Sequence, residues 1–243
     1  MSQTPLPCGT QPMTPLQRLR ARLDGDASLV NALLVGLVAV LLLLAFVVGG
    51  AEVMEGDTRS FDQYLLQGAQ SVRAGHPWLA SIMRDFSGLG STATLTLFTV
   101  VTVGYLALVS ARVTALLVAT SVITGAFFVQ FLKAGFGRLR PDASFAEMVA
   151  TGLSFPSGHT SMSAIVFLTL GALIARTRSR APERLYILAA AALMALLVGI
   201  SRVLLGVHWA TDVLGGWAFG AAWAMAWLLL ARYLAQRPAD MSA

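Results

Sequence analysis

The sequence predicts an all-α fold: a bundle of six transmembrane helices with an amphipathic interfacial helix between the first two spans. Three observations lead there. Of the 243 residues, 56% are hydrophobic and 12% charged, too little polar surface to coat a soluble globule of this length. The apolar residues gather into six runs that reach or approach the roughly 20 residues a helix needs to cross about 30 Å of hydrocarbon. The basic residues sit in short clusters between those runs. Clusters of that kind are topology signals of a membrane protein, whereas a nucleic-acid surface would line them along one face or tail.

Residues 1–28 read as a cytoplasmic tail, with 1–16 expected to be disordered. The tail holds the single cysteine, Cys8, so neither an intrachain disulfide nor a thiolate metal cluster is available. A six-span domain over residues 29–235 follows, and 236–243 form a second cytoplasmic tail. The first span, 29–50, comes after Arg18, Arg20 and Arg22 as a signal peptide would. Its apolar run is too long for a cleaved signal, and it reads as a retained anchor. Between this span and the next, Phe61, Leu65, Leu66, Ala69 and Val72 recur at helical spacing, with Asp62, Gln63, Gln67, Gln70 and Arg73 among them. That is an amphipathic helix, laid on the membrane surface or packed on the rim of the bundle. The remaining spans cover 89–109, 113–132, 160–175, 185–205 and 213–231. Gly216 and Gly220 in the last of them are spaced for close helix packing.

Ten of the seventeen cations (Arg18, Arg20, Arg22, Arg112, Arg176, Arg178, Arg180, Arg184, Arg232 and Arg237) fall on one side of the spans, and eight of the twelve acids fall on the other. The positive-inside rule then places both termini in the cytoplasm and three stretches outside, near 51–88, 133–159 and 206–212. The chemistry is then expected on the face opposite the termini.

Ionisable residues at the ends of spans are functional candidates, because placing them in lipid costs a few kcal/mol. Lys133, the only lysine, closes twenty residues without a charge, and Arg140-Pro141 follow seven positions later. Next, Pro156-Ser157-Gly158-His159 stands directly before the fourth span. Ser157 is a good helix N-cap, and a helix N-terminus beside a glycine exposes N–H groups to an anion. Finally, Ser201-Arg202 ends the fifth span, with His208 and Asp212 four residues apart before the sixth. Asp212 can hold one ring nitrogen and leave the other as a nucleophile. Each set alone has a structural explanation. Together, on one face of one bundle, they supply three cations, an N–H cradle and two histidines, one with an acid partner. A phosphoryl group suits that inventory: cations and N–H groups hold its oxygens, one histidine attacks phosphorus and the other protonates the leaving oxygen. Neither metal nor cofactor is called for. Among the neighbours, His76 reads as an interfacial loop residue and Arg138 as a headgroup or Asp142 contact. Thr160 and Ser161 read as satisfying backbone at the helix start, and Trp209 as orienting the ring or marking the interface.

The eleven positions Lys133, Arg140, Pro141, Pro156, Ser157, Gly158, His159, Ser201, Arg202, His208 and Asp212, in this order and spacing, resemble the three-part signature of the type 2 phosphatidic acid phosphatase (PAP2) superfamily. The resemblance spans residues 85–235 and implies a six-span bacterial lipid phosphatase in a cytoplasmic (inner) membrane, with the face opposite the termini periplasmic. It implies that His208 is the nucleophile that forms a phosphohistidine, that Asp212 orients it, and that His159 is general acid and then base. Lys133, Arg140 and Arg202, with Ser157 and Gly158, would hold the phosphoryl oxygens. The expected partners are membrane lipids and a lipid phosphate, not nucleic acid. Undecaprenyl diphosphate, phosphatidylglycerophosphate, phosphatidate and lipid A phosphates all fit as substrates. The competing readings are a lipid phosphotransferase and, further off, a non-catalytic lipid-phosphate transporter. Oligomeric state is not legible.

Overall fold

A computed structural model describes residues 15–236, with side chains from 29 to 235. Residues 1–14 and 237–243, half of the first expected tail and nearly all of the second, lie outside that range, as does nearly all of the expected disorder. The described residues form helices α1 (Pro15–Glu55), α2 (Arg59–Gly75), α3 (Trp78–Leu89), α4 (Thr92–Leu108), α5 (Arg112–Phe136), α6 (Gly158–Arg176), α7 (Ala181–Leu204) and α8 (Ala210–Gln236), plus one 3₁₀ turn, Ala143–Phe145. Six stretches of the described residues are long and apolar enough to cross a membrane, and each takes in one expected span, the second and fifth spans running one residue past theirs.

Two boundaries differ from the sequence reading. α1 begins at Pro15, well ahead of the expected span. The second stretch begins at Trp78, because α3 precedes α4 with only Gly90 and Ser91 between them. Arg84 and Asp85 interrupt the apolar pattern of α3 and kept it out of the hydropathy signal. Ser91 then starts α4 as a true N-cap, its hydroxyl accepting from the Thr94 N–H at 3.2 Å.

α6 occupies the middle of the bundle and packs against α4, α5, α7 and α8, while α1 packs on α8. The α6 residues Thr160, Ser161 and Ser163 are fully buried. Their hydroxyls are satisfied locally: Ser161 Oγ donates to Ser157 O at 2.9 Å and Ser163 Oγ to Thr160 O at 3.0 Å. Small residues like these let another backbone come close. On the facing helix, a Cβ added to Gly220 would lie 2.5 Å from Ser161 O, and one on Gly216 would lie 2.9 Å from Thr160 Cβ. The glycine pair therefore sets the α6–α8 distance. An aromatic cluster of Phe46, Phe155 and Phe219 then joins α1 and α8 to the loop ahead of α6.

α2 buries Asp62, Leu66, Ala69 and Arg73, one stripe of the helix, and packs against α3, α7 and α8. Arg73 donates to Leu204 O, at the end of α7, and to Phe145 O at 2.8 Å. α2 is thereby fixed to the end of the bundle where the signature residues gather. The turn after α7 needs a glycine. Gly206 sits at φ +69°, and a Cβ there would overlap Phe145 O at 1.9 Å.

Candidate active site

The three sequence segments converge at one end of the bundle. The turn between α7 and α8 carries His208, whose side chain is 1% exposed. Its Nδ1 lies 3.1 Å from Asp212 Oδ2, in the first turn of α8. A carboxylate can only accept, so the ring proton sits on Nδ1 and the lone pair on Nε2. The Trp209 N–H donates to the same Asp212 oxygen at 3.0 Å and fixes the turn. Asp212 alone would raise the His208 pKa, and yet it falls to about 4. Burial is the largest cause, with Arg140 and Arg202 adding to it, so the ring stays neutral.

Arg140 leaves the helical bundle after α5 and is threaded back into it by its own hydrogen bonds. Nε donates to Thr151 O and Gly152 O at 3.2 and 3.0 Å, Nη2 to Thr151 O at 3.0 Å, and Nη1 to Val207 O at 2.8 Å. Nη1 is also 2.9 Å from His208 Nε2 and donates to its lone pair. Burial lowers the Arg140 pKa and the Asp212 charge opposes that shift. Lys133, in the last turn of α5, directs Nζ to Leu153 O and Ser154 O at 2.7 and 3.3 Å. Both cations thus stitch the 137–157 loop to the helix ends.

Arg202 closes α7 at 2% exposure, its Nη1 donating to Ser87 Oγ at 2.5 Å. Its Nε is buried and has no acceptor among the described residues. A buried unpaired donor costs about 1–3 kcal/mol, which an anion can recover.

Ser157 takes the expected N-cap position of α6, but its hydroxyl does not cap a backbone N–H. It accepts instead from Thr160 Oγ1 at 2.9 Å. The first N–H groups of α6, which have no intrahelical acceptor, are left uncapped by that side chain. The Ser157 N–H donates to Asp212 O at 2.9 Å, joining α6 to α8. A Cβ on Gly158 would lie 3.5 Å from Lys133 Cε. His159 is half-buried and within electrostatic range of Arg202, His208, Arg140 and Lys133. All eight expected site residues therefore meet in one place.

Arg138 corrects the expected Asp142 contact: the Asp142 carboxylate accepts from the Ser144 N–H at 2.9 Å instead. Arg138 Nη1 lies 2.7 Å from Asp212 Oδ1, and Nη2 lies 2.6 Å from Asp62 Oδ2. Asp62, 1% exposed on α2, also accepts from Thr211 N at 2.9 Å and Thr211 Oγ1 at 2.7 Å. The ring of Trp209 stacks beneath Arg138 at 5.5 Å, and its indole N–H donates to Leu139 O at 2.9 Å. Ser154, fully buried, donates to Arg138 O and Leu139 O at 3.2 and 3.0 Å. An apolar stripe with an acid and an arginine at its two ends was the one local hint that α2 reaches the site. His76 is exposed, bonds Val72 O through Nδ1 at 3.2 Å, and stands edge-on to Trp78.

A membrane bundle that ends in a carboxylate-backed histidine beside a buried and a half-buried arginine has the architecture of an integral-membrane phosphatase. The chain belongs to the PAP2 superfamily, whose family model matches residues 114–236. It is 32% identical over 185 residues to phosphatidylglycerophosphatase B of Bacillus subtilis, across 74% of this chain and 88% of that one. The crystal structure of a transmembrane PAP2 type phosphatidylglycerolphosphate phosphatase from Bacillus subtilis superposes with a TM-score of 0.72 at 28% identity, covering 83% and 98% of the two chains. A lipid A 1-phosphatase of Rhizobium johnstonii is 32% identical over 110 residues, 42% of this chain and 41% of that one. The protein is a membrane-embedded phosphoric monoester hydrolase.

Proposed function

We propose that the protein hydrolyses a lipid phosphate or diphosphate, without a metal ion, through a phosphohistidine on His208. The observation that carries this reading is the His208 ring. Its Nδ1–H is held by Asp212, and its Nε2 lone pair meets Arg140 Nη1 at 2.9 Å, with Arg202 within electrostatic range. When a phosphoryl group binds, the Arg140 N–H turns from Nε2 to a phosphoryl oxygen, and the unpaired Arg202 Nε–H takes another. Lys133, Ser157 and the N–H groups at Gly158 complete the cradle. Nε2 attacks phosphorus, the bond to the leaving oxygen breaks, and His159 delivers a proton to that oxygen. His159 then takes a proton from water, whose oxygen attacks phosphorus. The P–N bond breaks, its electrons return to Nε2, and inorganic phosphate leaves.

A cavity of about 380 Å³ opens beside Arg140, walled by Val53, Met54, Phe136, Leu139 and Trp209, with Arg59, Asp62 and Arg138 at its polar edge. An apolar wall against cations suits a lipid whose phosphate faces the site and whose chain stays in the bilayer. α2 turns Phe61, Tyr64 and Val72 away from the bundle, and we assign that face to the membrane surface. The charge asymmetry of the loops supports a periplasmic site and cytoplasmic termini in a bacterial inner membrane. The long match to phosphatidylglycerophosphatase B favours phosphatidylglycerophosphate as substrate, ahead of phosphatidate, undecaprenyl diphosphate and lipid A phosphates.

The test is phosphate release by the purified protein from those four lipids, with and without a chelator. We expect release from at least one, unchanged by the chelator. No release from any lipid would overturn the reading, and loss of release with the chelator would overturn its metal independence. A reporter fused to the C-terminus that is active in the periplasm would reverse the orientation.

A further inference from the structure

We infer that Asp62 and Arg138 are positioning residues for the nucleophile: a buried chain Asp62–Arg138–Asp212–His208 runs from α2 to the reacting ring and sets how much negative charge Asp212 offers it. This inference rests on the reading of His208 as nucleophile.

Every link of the chain is short. The Arg138 guanidinium spans two carboxylates, at 2.6 Å from Asp62 and 2.7 Å from Asp212, and Asp212 reaches His208 with its other oxygen at 3.1 Å. The Thr211 hydroxyl accepts from Arg138 Nη1 at 2.8 Å and donates to Asp62 at 2.7 Å, closing a ring of bonds around the guanidinium. Asp62, Asp212 and His208 are each 1% exposed or less, so these charges act on one another through little water.

The charge count explains why a second carboxylate belongs here. Once Nε2 has bonded to phosphorus, the ring is cationic and needs the Asp212 charge. Arg138 paired with Asp212 alone would neutralise that carboxylate. Asp62 shares the guanidinium, and Asp212 keeps a net negative field at the ring. Asp62 lies 150 positions before Asp212 in the chain and belongs to none of the three signature segments.

The other groups around His208 are Arg140 from the loop, Arg202 from α7, His159 from α6 and Lys133 from α5. Neither variant alters any of these four residues. Asp62→Asn keeps the shape and an acceptor for the Thr211 N–H but removes the charge. Arg138 then draws fully on Asp212, imidazolium formation becomes harder, and the acid limb of kcat against pH moves to lower pH. Arg138→Gln leaves two carboxylates without their cation. The site then binds a proton more readily, and the limb moves to higher pH.

The experiment measures kcat, KM and the pH profile for both variants and the double variant on whichever lipid the wild-type protein hydrolyses. Thermal melting in detergent reports the folded fraction. We expect each single variant to lose kcat by about tenfold to a hundredfold, the range for losing a partner that orients a metal-bound histidine, with KM changed far less. The limbs should move in opposite directions and the double variant should be non-additive. A purely structural tie lowers the folded fraction and leaves the limb where it was. Limbs that stay put or move together, or an Asp62→Asn protein with wild-type kcat, would overturn the inference. His208→Gln separates the two failures. If it stays active, the nucleophile assignment has failed. If it is dead while the limbs do not move, only the Asp62–Arg138 role has failed.

Discussion

α1 and α6 are both apolar enough to cross a membrane, yet α1 buries 6% of its most hydrophobic stretch inside the molecule and α6 buries 56%. α1 shows Leu33, Leu37, Leu41 and Leu44 to the outside, each about half exposed or more, whereas α6 hides Thr160, Ser161 and Ser163 completely. In water the greasier helix would be the interior one. Lipid is as apolar as leucine, and so the interior goes to small residues that allow close approach and can satisfy their own hydroxyls. Those same small residues open α6 at the proposed phosphate cradle, so packing and the proposed chemistry share one helix end.

Substitutions at the α6 end and its partners should do most harm, and those on the α1 face least. His208→Gln abolishes phosphate release. His159→Ala loses about 10²–10⁴ in kcat, the range for a general acid, and retains activity above background. Equal, mild losses in a phosphate-release assay would break the division of roles. Arg140→Lys costs roughly tenfold to a hundredfold in kcat/KM, because one ammonium cannot serve Thr151, Gly152 and Val207 together and still reach a phosphoryl oxygen. Lys133→Arg is not silent either.

The pH profile of the wild-type protein sharpens the same contrast. The proposed nucleophile acts as the neutral ring, so activity is expected to be lost as pH falls through its pKa. Because burial lowers that pKa from 6.5 to about 4, the acid limb of phosphoenzyme formation lies well below that of an ordinary histidine. The comparison is made after correction for the substrate phosphate, which titrates near pH 6. A limb at or above 6.5 would mean that the ring is exposed when it reacts.

Further from the chemistry, Gly220→Ala forces a Cβ against Ser161 O. A backbone atom cannot turn aside, and the expected loss is about 1–3 kcal/mol, read as a lower apparent Tm in detergent. Leu37→Ala on the lipid face of α1 stays within about 0.5 kcal/mol. A Leu37→Ala protein less stable than Gly220→Ala would invert the account of which helix is inside.

Much of this was legible before any coordinates. The spans follow from composition because lipid imposes one simple rule on length and polarity. The eight candidate site residues follow from fixed spacings within three short segments, and the fold brings them to one end of the bundle. What escaped notice depends on long-range pairing. Asp62 meets Arg138 across 76 positions, and neither residue alone differs from any surface charge. α3 escaped because Arg84 and Asp85 mask its apolar side. The sequence places Ser157 at the helix start, but only the fold shows its hydroxyl accepting from Thr160 rather than capping the backbone.

The central claim is that a phosphoryl group passes through His208. Substrate labelled in the reacting phosphate, mixed rapidly with enzyme and quenched in base, which preserves a phosphohistidine, tests it directly. The account predicts an acid-labile label on His208 in the wild-type protein and no label in His208→Gln. In His159→Ala the label persists longer, because water is no longer activated. Label retained in His208→Gln, or phosphate released at full rate with no labelled protein at any time, would contradict it.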